Sequence, residues 1–137
     1  MYRPYRLPLP VEGRAQTPRE AASLVAAILE HNTVEQVLVL HFDTRRSLIG
    51  VHTVALGTLD AALVHPREIF KVALLANAAS VILAHNHPSG DPSPSDDDVV
   101  LTTRLVACGQ LLGIEVIDHI VIGQDGAYCS LRETGRL

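Results

Sequence analysis

Apolar and polar positions repeat with two different periods along the chain, and these periods predict helices set between strands. Apolar residues recur every three or four positions across residues 17–32, which predicts a helix capped by Thr17. Two further helices are predicted, one over 66–77 and one from Ser95 to a stop at Gly113. Nearly continuous apolar runs bounded by turn residues predict buried strands at 35–43, 47–57, 78–87, 114–123 and 127–131, with a short additional strand at 58–65.

This order of elements indicates the fold class. Helices inserted between strands are typical of an α/β or α+β domain, in which helices flank a mixed sheet in at most three layers. The chain has 137 residues, of which 47% are apolar, and this is enough for one domain with its own core. We expect residues 1–16, which are rich in arginine and proline, to form an extended arm and residues 17–137 to form the domain.

Charge and cysteine content limit the expected binding partners and the expected cellular compartment. The formal net charge is −4, so bulk attraction to nucleic acid is not expected, although the mostly arginine basic residues would allow a local patch. No apolar stretch is suited to cross a bilayer, and the first residues lack the apolar run of a secretory signal. Cys108 and Cys129 are too few for a disulfide framework, which favours buried, reduced thiols and a cytoplasmic location.

The stretch "ILAHNHPSGDPSPSDDD", residues 82–98, carries the candidate chemistry. His85 and His87 stand two residues apart at the end of a predicted strand, so their rings should lie on the same face. The apolar residues before them should fix that strand end in the core. Two imidazoles with a carboxylate and one open position are the ligand pattern of catalytic zinc.

The three aspartates in this stretch have two interpretations. Ser95 is a predicted helix N-cap, and the acids of the first turn would complement the helix dipole, with Ser95 and Asp98 forming a capping box. This interpretation explains all three aspartates without a metal. In the other interpretation, the proline-rich loop returns a carboxylate to the two histidines as the third ligand.

The spacing of the motif adds a family resemblance. His-x-His, seven residues, Ser, two residues and Asp resembles the signature of the JAMM (MPN-plus) zinc metalloproteases. The motif and its flanks, "GTLDAALVHPREIFKVAL", "LLGIEVIDHIVIG" and "SLRETG", resemble the RadC family more closely. The likeness covers the chain from about Thr17 onward. It implies the JAMM/MPN fold, with a cytidine deaminase-like three-layer architecture.

The resemblance also implies a site. It assigns one zinc ion per chain to three ligands: His85, His87 and Asp98. Ser95 would orient the site or stabilise the oxyanion. A glutamate before the first core strand would hold the attacking water and move its proton. Glu35 matches this position, while Glu30 and Glu68 remain rivals.

These assignments predict a zinc-dependent hydrolase, most closely a metallopeptidase or isopeptidase, with a protein or peptide substrate. Asn86 stands between the histidines as in RadC, where JAMM deubiquitinases usually have Ser or Thr, so a ubiquitin-like substrate is not implied. The alternative is a DNA-repair accessory protein or a metal-dependent nuclease. We expect the DNA link to be weaker here, because the 137 residues leave no room for the upstream helix-hairpin-helix segment usual in RadC proteins.

Several polar residues outside the motif have less specific predictions. His119 lies beside Asp118 in an apolar strand, and we expect a histidine oriented by a carboxylate rather than a fourth ligand. Arg67 and Asn86 are candidates for substrate contacts or for support of the site. Three other histidines lack partners at ligand spacing and are interpreted as surface or packing residues: His31, His41 and His52.

Overall fold

The structure, a computed structural model, describes residues 13–29, 34–56 and 64–137. The described residues form three helices and five strands. The helices are α1 (Pro18–Leu29), α2 (Pro66–Leu75) and α3 (Asp96–Leu112). The strands are β1 (Gln36–Phe42), β2 (Leu48–Leu56), β3 (Ser80–Asn86), β4 (Glu115–Ile122) and β5 (Tyr128–Ser130).

The strands form one mixed sheet in the order β2-β1-β3-β4-β5. Strand β1 runs antiparallel to both β2 and β3, and β5 runs antiparallel to β4. Strands β3 and β4 are parallel, and α3 makes the crossover between them. Such a pair needs a connection of this length, because its strands must start at the same edge of the sheet. Strand β3 is therefore central, and its carboxyl end lies between β1 and β4.

A hydrophobic core lies on each face of the sheet. Alternate β1 residues, such as Leu38 and Leu40, join α1 in one core, while Val37 and Val39 join α2 and α3 in the other. The near-continuous apolar runs follow from this arrangement, because strands covered on both faces have no solvent side. The sheet with helices on both faces confirms the predicted α/β class and three-layer arrangement, and it is consistent with a JAB/MPN-like fold.

Local signals set most element ends close to the predicted ones. Thr17 accepts a hydrogen bond from the Glu20 N–H at 3.1 Å, and Gly113 ends α3 in the left-handed conformation with φ of 74°. Helix α2 ends two residues early, because Asn77 takes a positive φ of 56°. Most of the additional strand predicted at 58–65 lies outside the described residues.

The described part of the predicted arm, residues 13–16, runs beside the start of β2. The Ala15 N–H donates to the Arg46 carbonyl at 3.0 Å, and the Leu48 N–H donates to the Gly13 carbonyl at 2.8 Å. Residues 1–12 lie outside the described residues, so the boundary between arm and domain stays a prediction.

Cys108 and Cys129 are unpaired, as expected, but each is half-buried rather than fully buried. Among the described residues, no helix has both the length and the apolar character needed to cross a bilayer.

Candidate metal centre

The carboxyl end of β3 delivers the two histidines of the motif. His85 pairs with Val37 on one side and Val121 on the other, and its side chain is 0% exposed. His87 follows the strand, where its N–H donates to the Ile122 carbonyl at 2.9 Å. The two Nε2 atoms lie 2.8 Å apart, so both rings do point to one place, as their spacing predicts.

A close backbone contact holds the loop after His87 in position. The Gln124 N–H donates to the Gly90 carbonyl at 3.0 Å. A Cβ on Gly123 would come within 2.3 Å of that same carbonyl oxygen, so only glycine fits there. The loop therefore lies against the end of β4 and leads directly into α3.

The first turn of α3 carries the aspartates. Ser95 Oγ accepts from the Asp98 N–H at 3.1 Å, and Asp98 Oδ2 accepts from the Ser95 N–H at 2.7 Å, so the predicted capping box is present. Asp96 and Asp97 are exposed, and the dipole of α3 is enough to explain them.

The cap does not account for the whole Asp98 side chain. Asp98 is only 1% exposed, and its second oxygen, Oδ1, has no hydrogen-bond partner. Oδ1 lies 3.6 Å from His85 Nε2, and Oδ2 lies 4.0 Å from His87 Nε2. Leaving a buried acceptor unpaired costs free energy, so this oxygen calls for a cation or a donor.

The hydrogen bonds of the two histidines point the same way. His87 Nδ1 lies 2.8 Å from the Asp91 carbonyl, which can only accept, so Nδ1 carries a proton. In the neutral ring, Nε2 then holds a lone pair that faces His85. Burial lowers the pKa of His85 to about 4; the charge of Asp98 opposes this shift and His87 adds to it. The His85 ring is therefore neutral at pH 7. Neutral imidazole nitrogens and a carboxylate oxygen are suitable zinc ligands, so the residues present fit the implied ion.

Glu35 lies at the mouth of this cluster. One of its carboxylate oxygens is 3.9 Å from His85 Nε2, and its side chain is 20% exposed. Partial burial, reinforced by the Asp98 charge and opposed by His87, raises the pKa of Glu35 above its usual value. Among the described residues, Glu35, His85 and His87 form one group with the spacing to hold a metal, and His85, Asp98 and His119 form another.

The Asn86 side chain fixes the backbone on both sides of Glu35. Its Oδ1 accepts from the Gln36 N–H at 2.7 Å, and its Nδ2 donates to the Val34 carbonyl at 3.1 Å. The residue between the two histidines therefore holds the carboxylate that leans over them. The sequence predicts Asn86 for substrate contact or support of the site, and it does not predict the link to Glu35.

The two rivals of Glu35 stand differently. Glu30 lies outside the described residues. Glu68 is on the exposed side of α2, where its carboxylate lies 3.3 Å from Lys71 Nζ and 3.6 Å from Arg67 Nε. The hydrogen bond and charge of Lys71 lower the pKa of Glu68, and Arg67 lowers it by a smaller amount. The contacts of Arg67 are therefore with its own helix, and its side chain is largely exposed.

His119 supports His85 from behind, while Asp118 contacts the main chain of His119 and not its ring: Asp118 Oδ1 accepts from the His119 N–H at 2.7 Å. His119 Nε2 lies 2.9 Å from His85 Nδ1, and His119 Nδ1 lies 2.6 Å from Thr102 Oγ1. Consecutive strand residues point to opposite faces, so the Asp118 carboxylate is on the α1 side, where it accepts from the Ser130 hydroxyl and the Arg132 N–H. Thr102 was not predicted as a site residue, although a polar residue at a buried position of α3 is a signal that the sequence contains.

His41 and His52 form a separate pair on β1 and β2. Their Nε2 and Nδ1 atoms lie 2.9 Å apart, and His41 is fully buried. The sequence does not predict this contact between His41 and His52, but neither residue belongs to the described groups suited to a metal, and the burial of His41 fits the expected packing role.

An open cavity of about 650 Å³ lies next to His87. Its wall comes from the end of α1, from the loop after His87 and from the turn after β4, and it includes Leu29, Asn86 and Gln124. Of the candidate ligands, only His87 lines this cavity.

The fold and the site together define an α/β domain with a candidate His/Asp metal centre at the end of its central strand. A family model described as "RadC-like JAB domain" matches residues 15–136, and the chain belongs to this family. The expected family resemblance is thus confirmed.

Relatives of this chain include proteins named only "UPF0758 protein". The chain is 46% identical over 119 residues to one from Methanosarcina acetivorans, covering 87% of this chain and 52% of the relative. It is 48% identical over 124 residues to one from Clostridium kluyveri, covering 90% and 54%. It is 50% identical over 120 residues to one from Symbiobacterium thermophilum, covering 88% and 51%. The chain thus spans about half the length of these relatives.

Proposed function

We propose that this domain is a zinc-dependent hydrolase of amide bonds, a metallopeptidase or isopeptidase of the JAMM type. The observation that carries the proposal is the Asp98 Oδ1 atom, buried without a partner 3.6 Å from the Nε2 atom of His85. Membership of the JAB family, which is typically hydrolytic, supports the same reading.

Three residues would hold the ion: His85, His87 and Asp98. When bound, zinc would supply a Lewis acid that polarises a carbonyl and acidifies a water molecule. Contacts within the chain hold each of the three side chains. His87 is held by the Asp91 carbonyl, Asp98 by the Ser95 N–H, and His85 by the sheet on both sides.

Glu35 is the proposed general base. It lies close enough to the cluster to take a proton from the attacking water and to deliver it to the leaving amine. A raised carboxylate pKa suits this exchange, because the proton must be both accepted and released near neutral pH. Ser95 is the proposed oxyanion donor. Its Oγ already accepts from the Asp98 N–H, and the hydroxyl proton can be donated to substrate.

The proposed substrate is a polypeptide that lies in the cavity beside His87. That cavity is open and has polar and apolar walls, which suits an extended chain with mixed side chains. The two unpaired thiols support a reducing compartment, and we propose the cytoplasm.

The test combines metal analysis with an unbiased search for bound or cleaved polypeptides. Purified protein supplied with zinc should hold one ion per chain. Glu35→Gln should keep the ion and retain substrates, while turnover falls by about 10²–10⁴. Glu68→Gln is the matched control, because it removes an equivalent carboxylate from the exposed side of α2. A protein that binds no zinc, or a Glu35→Gln variant with full turnover on an identified substrate, would overturn the proposal.

A further inference from the structure

We infer that Thr102 and His119 are positioning residues that fix which nitrogen of His85 faces the metal. The inference rests on the proposed metal function, but the directions of the hydrogen bonds behind it follow from the contacts of the chain's own residues. Both residues are fully buried beneath the site, and neither lies where a substrate could touch it.

The direction of each hydrogen bond can be assigned by starting at the Thr102 hydroxyl, which has one proton and two close neighbours. The Asp98 main-chain carbonyl lies 2.7 Å from Thr102 Oγ1, and His119 Nδ1 lies 2.6 Å from the same oxygen. A carbonyl can only accept, so the hydroxyl proton must go to Asp98. Thr102 Oγ1 can then only accept from His119, and His119 Nδ1 must carry a proton.

The same assignment extends through the rings of His119 and His85. His119 is 0% exposed, and its two ring nitrogens contact a hydroxyl and another imidazole, neither of which carries a negative charge. A neutral ring protonated on Nδ1 has its lone pair on Nε2. That lone pair lies 2.9 Å from His85 Nδ1, so His85 Nδ1 must donate to it. His85 Nε2 is then unprotonated, and its lone pair points to Asp98 and His87.

The consequence is a metal ligand set to the correct tautomer before the ion binds. Asp98 takes part twice, because its carbonyl starts the order and its carboxylate faces the result. Without the Thr102 hydroxyl, His119 is free to move its proton to Nε2. His85 would then be driven to carry its own proton on Nε2, where it opposes the cation. Outer partners of this kind typically change metal affinity by about 10–100-fold.

Thr102→Val tests the inference, because valine keeps the branched shape and removes only the hydroxyl. Thr103→Val is the matched control. Thr103 is the next residue of α3 and makes the same bond to the carbonyl four residues before it, at 2.9 Å, but its side chain is exposed. Thr102→Ser restores a hydroxyl in the same place. Zinc affinity is measured for all three by competition with a chromophoric chelator.

We expect zinc to bind about 10–100-fold more weakly to Thr102→Val, with most of the affinity restored in Thr102→Ser and none lost in Thr103→Val. A second measurement uses the metal-free wild type. Nitrogen-15 spectra of the histidine rings should show protonated Nδ1 and unprotonated Nε2 in both His85 and His119.

Two results would overturn the inference. One is a Thr102→Val variant that binds zinc as tightly as Thr103→Val. The other is a metal-free wild type in which His119 carries its proton on Nε2, and this decides the matter even when Thr102→Val fails to fold. A wild type with the expected ring protons and no affinity for zinc would instead refute the proposed function. The positioning role would then fall with it, while the hydrogen-bond order would stand.

Discussion

The Asp98→Asn variant separates the two roles of this side chain, one as helix cap and one as metal ligand. The asparagine carbonyl can still accept from the Ser95 N–H, which Asp98 Oδ2 does at 2.7 Å. The amide nitrogen would replace Oδ1, 3.6 Å from His85 Nε2, and a small shift would let it donate to that lone pair. The substitution thus keeps the cap, removes the charge and gives the buried position a donor.

The expected effect on stability changes sign with zinc. Without metal, the unpaired Oδ1 costs the wild type about 1–3 kcal/mol, and the substitution relieves this cost. Losing a negative charge from the first turn of α3 costs only about 0.3–1 kcal/mol. The metal-free variant should therefore unfold at the same temperature as the wild type or higher. Zinc at about 100 times its dissociation constant should add about 2.7 kcal/mol to the wild type and much less to the variant.

The assay is thermal denaturation, followed by circular dichroism, once with a chelator and once with zinc. Asp97→Asn is the matched control, because this exposed acid shares the first turn and should lose only the dipole contribution. That control should retain the full rise in melting temperature with zinc. Asp98→Asn should lose that rise.

Two outcomes would refute this reasoning. A loss of more than about 2 kcal/mol in the metal-free Asp98→Asn protein would mean that the carboxylate supports the fold rather than a ligand. A zinc-dependent rise equal to that of the wild type would exclude Asp98 as a ligand. The cap alone would then explain why the aspartate is there.

Two other residues give independent predictions. Asn86→Ala removes both bonds that hold the backbone around Glu35, so turnover should fall while zinc affinity changes little, and an equal loss of both would contradict the positioning of Glu35. Burial, with His52, lowers the pKa of His41 to about 3, below the unfolded value of about 6.5. The stability that His41 contributes as a neutral ring is therefore complete above about pH 6.5 and is lost as the pH falls towards 3. With a chelator present, His41→Gln should lower the slope of unfolding free energy against pH in that window by up to about 1.4 kcal/mol per unit, and urea titrations showing an unchanged slope would be evidence against it.

The parts of the fold and site that could be predicted from the sequence are those encoded within a few residues. Ser95 and Gly113 mark the ends of α3 because a hydroxyl cap and a left-handed glycine satisfy helix ends locally. The meeting of His85 and His87 follows from the two-residue period of a strand, and Asp98 follows from a short, proline-rich connection. Each of these inferences spans fewer than fifteen residues.

The rest of the site depends on strand pairing, and no pattern of neighbouring residues predicts which strands pair or in which register. Glu35 reaches the cluster because β1 runs antiparallel to β3 with Val37 opposite His85, about fifty residues away. His119 reaches His85 because β4 is parallel to β3 in a register that places it beside Leu83. A shift of one residue in either register would turn these side chains to the other face of the sheet. The predicted link between Asp118 and the His119 ring ignored this alternation, which separates neighbours in sequence.

The position of the site also explains how the protein tolerates so many polar groups away from water. His85, Asp98, Thr102 and His119 are all almost completely buried, and such groups are costly unless each proton has an acceptor. Asp98 and Thr102 are buried on α3 together with Leu101 and Leu105, and His85 and His119 contact these two polar residues from the sheet. Their hydrogen bonds form one ordered sequence from a helix carbonyl to His85 Nε2, and that sequence ends at two lone pairs and an unpaired carboxylate oxygen. The polar network is therefore complete in itself except at one point, and a cation at that point would complete it.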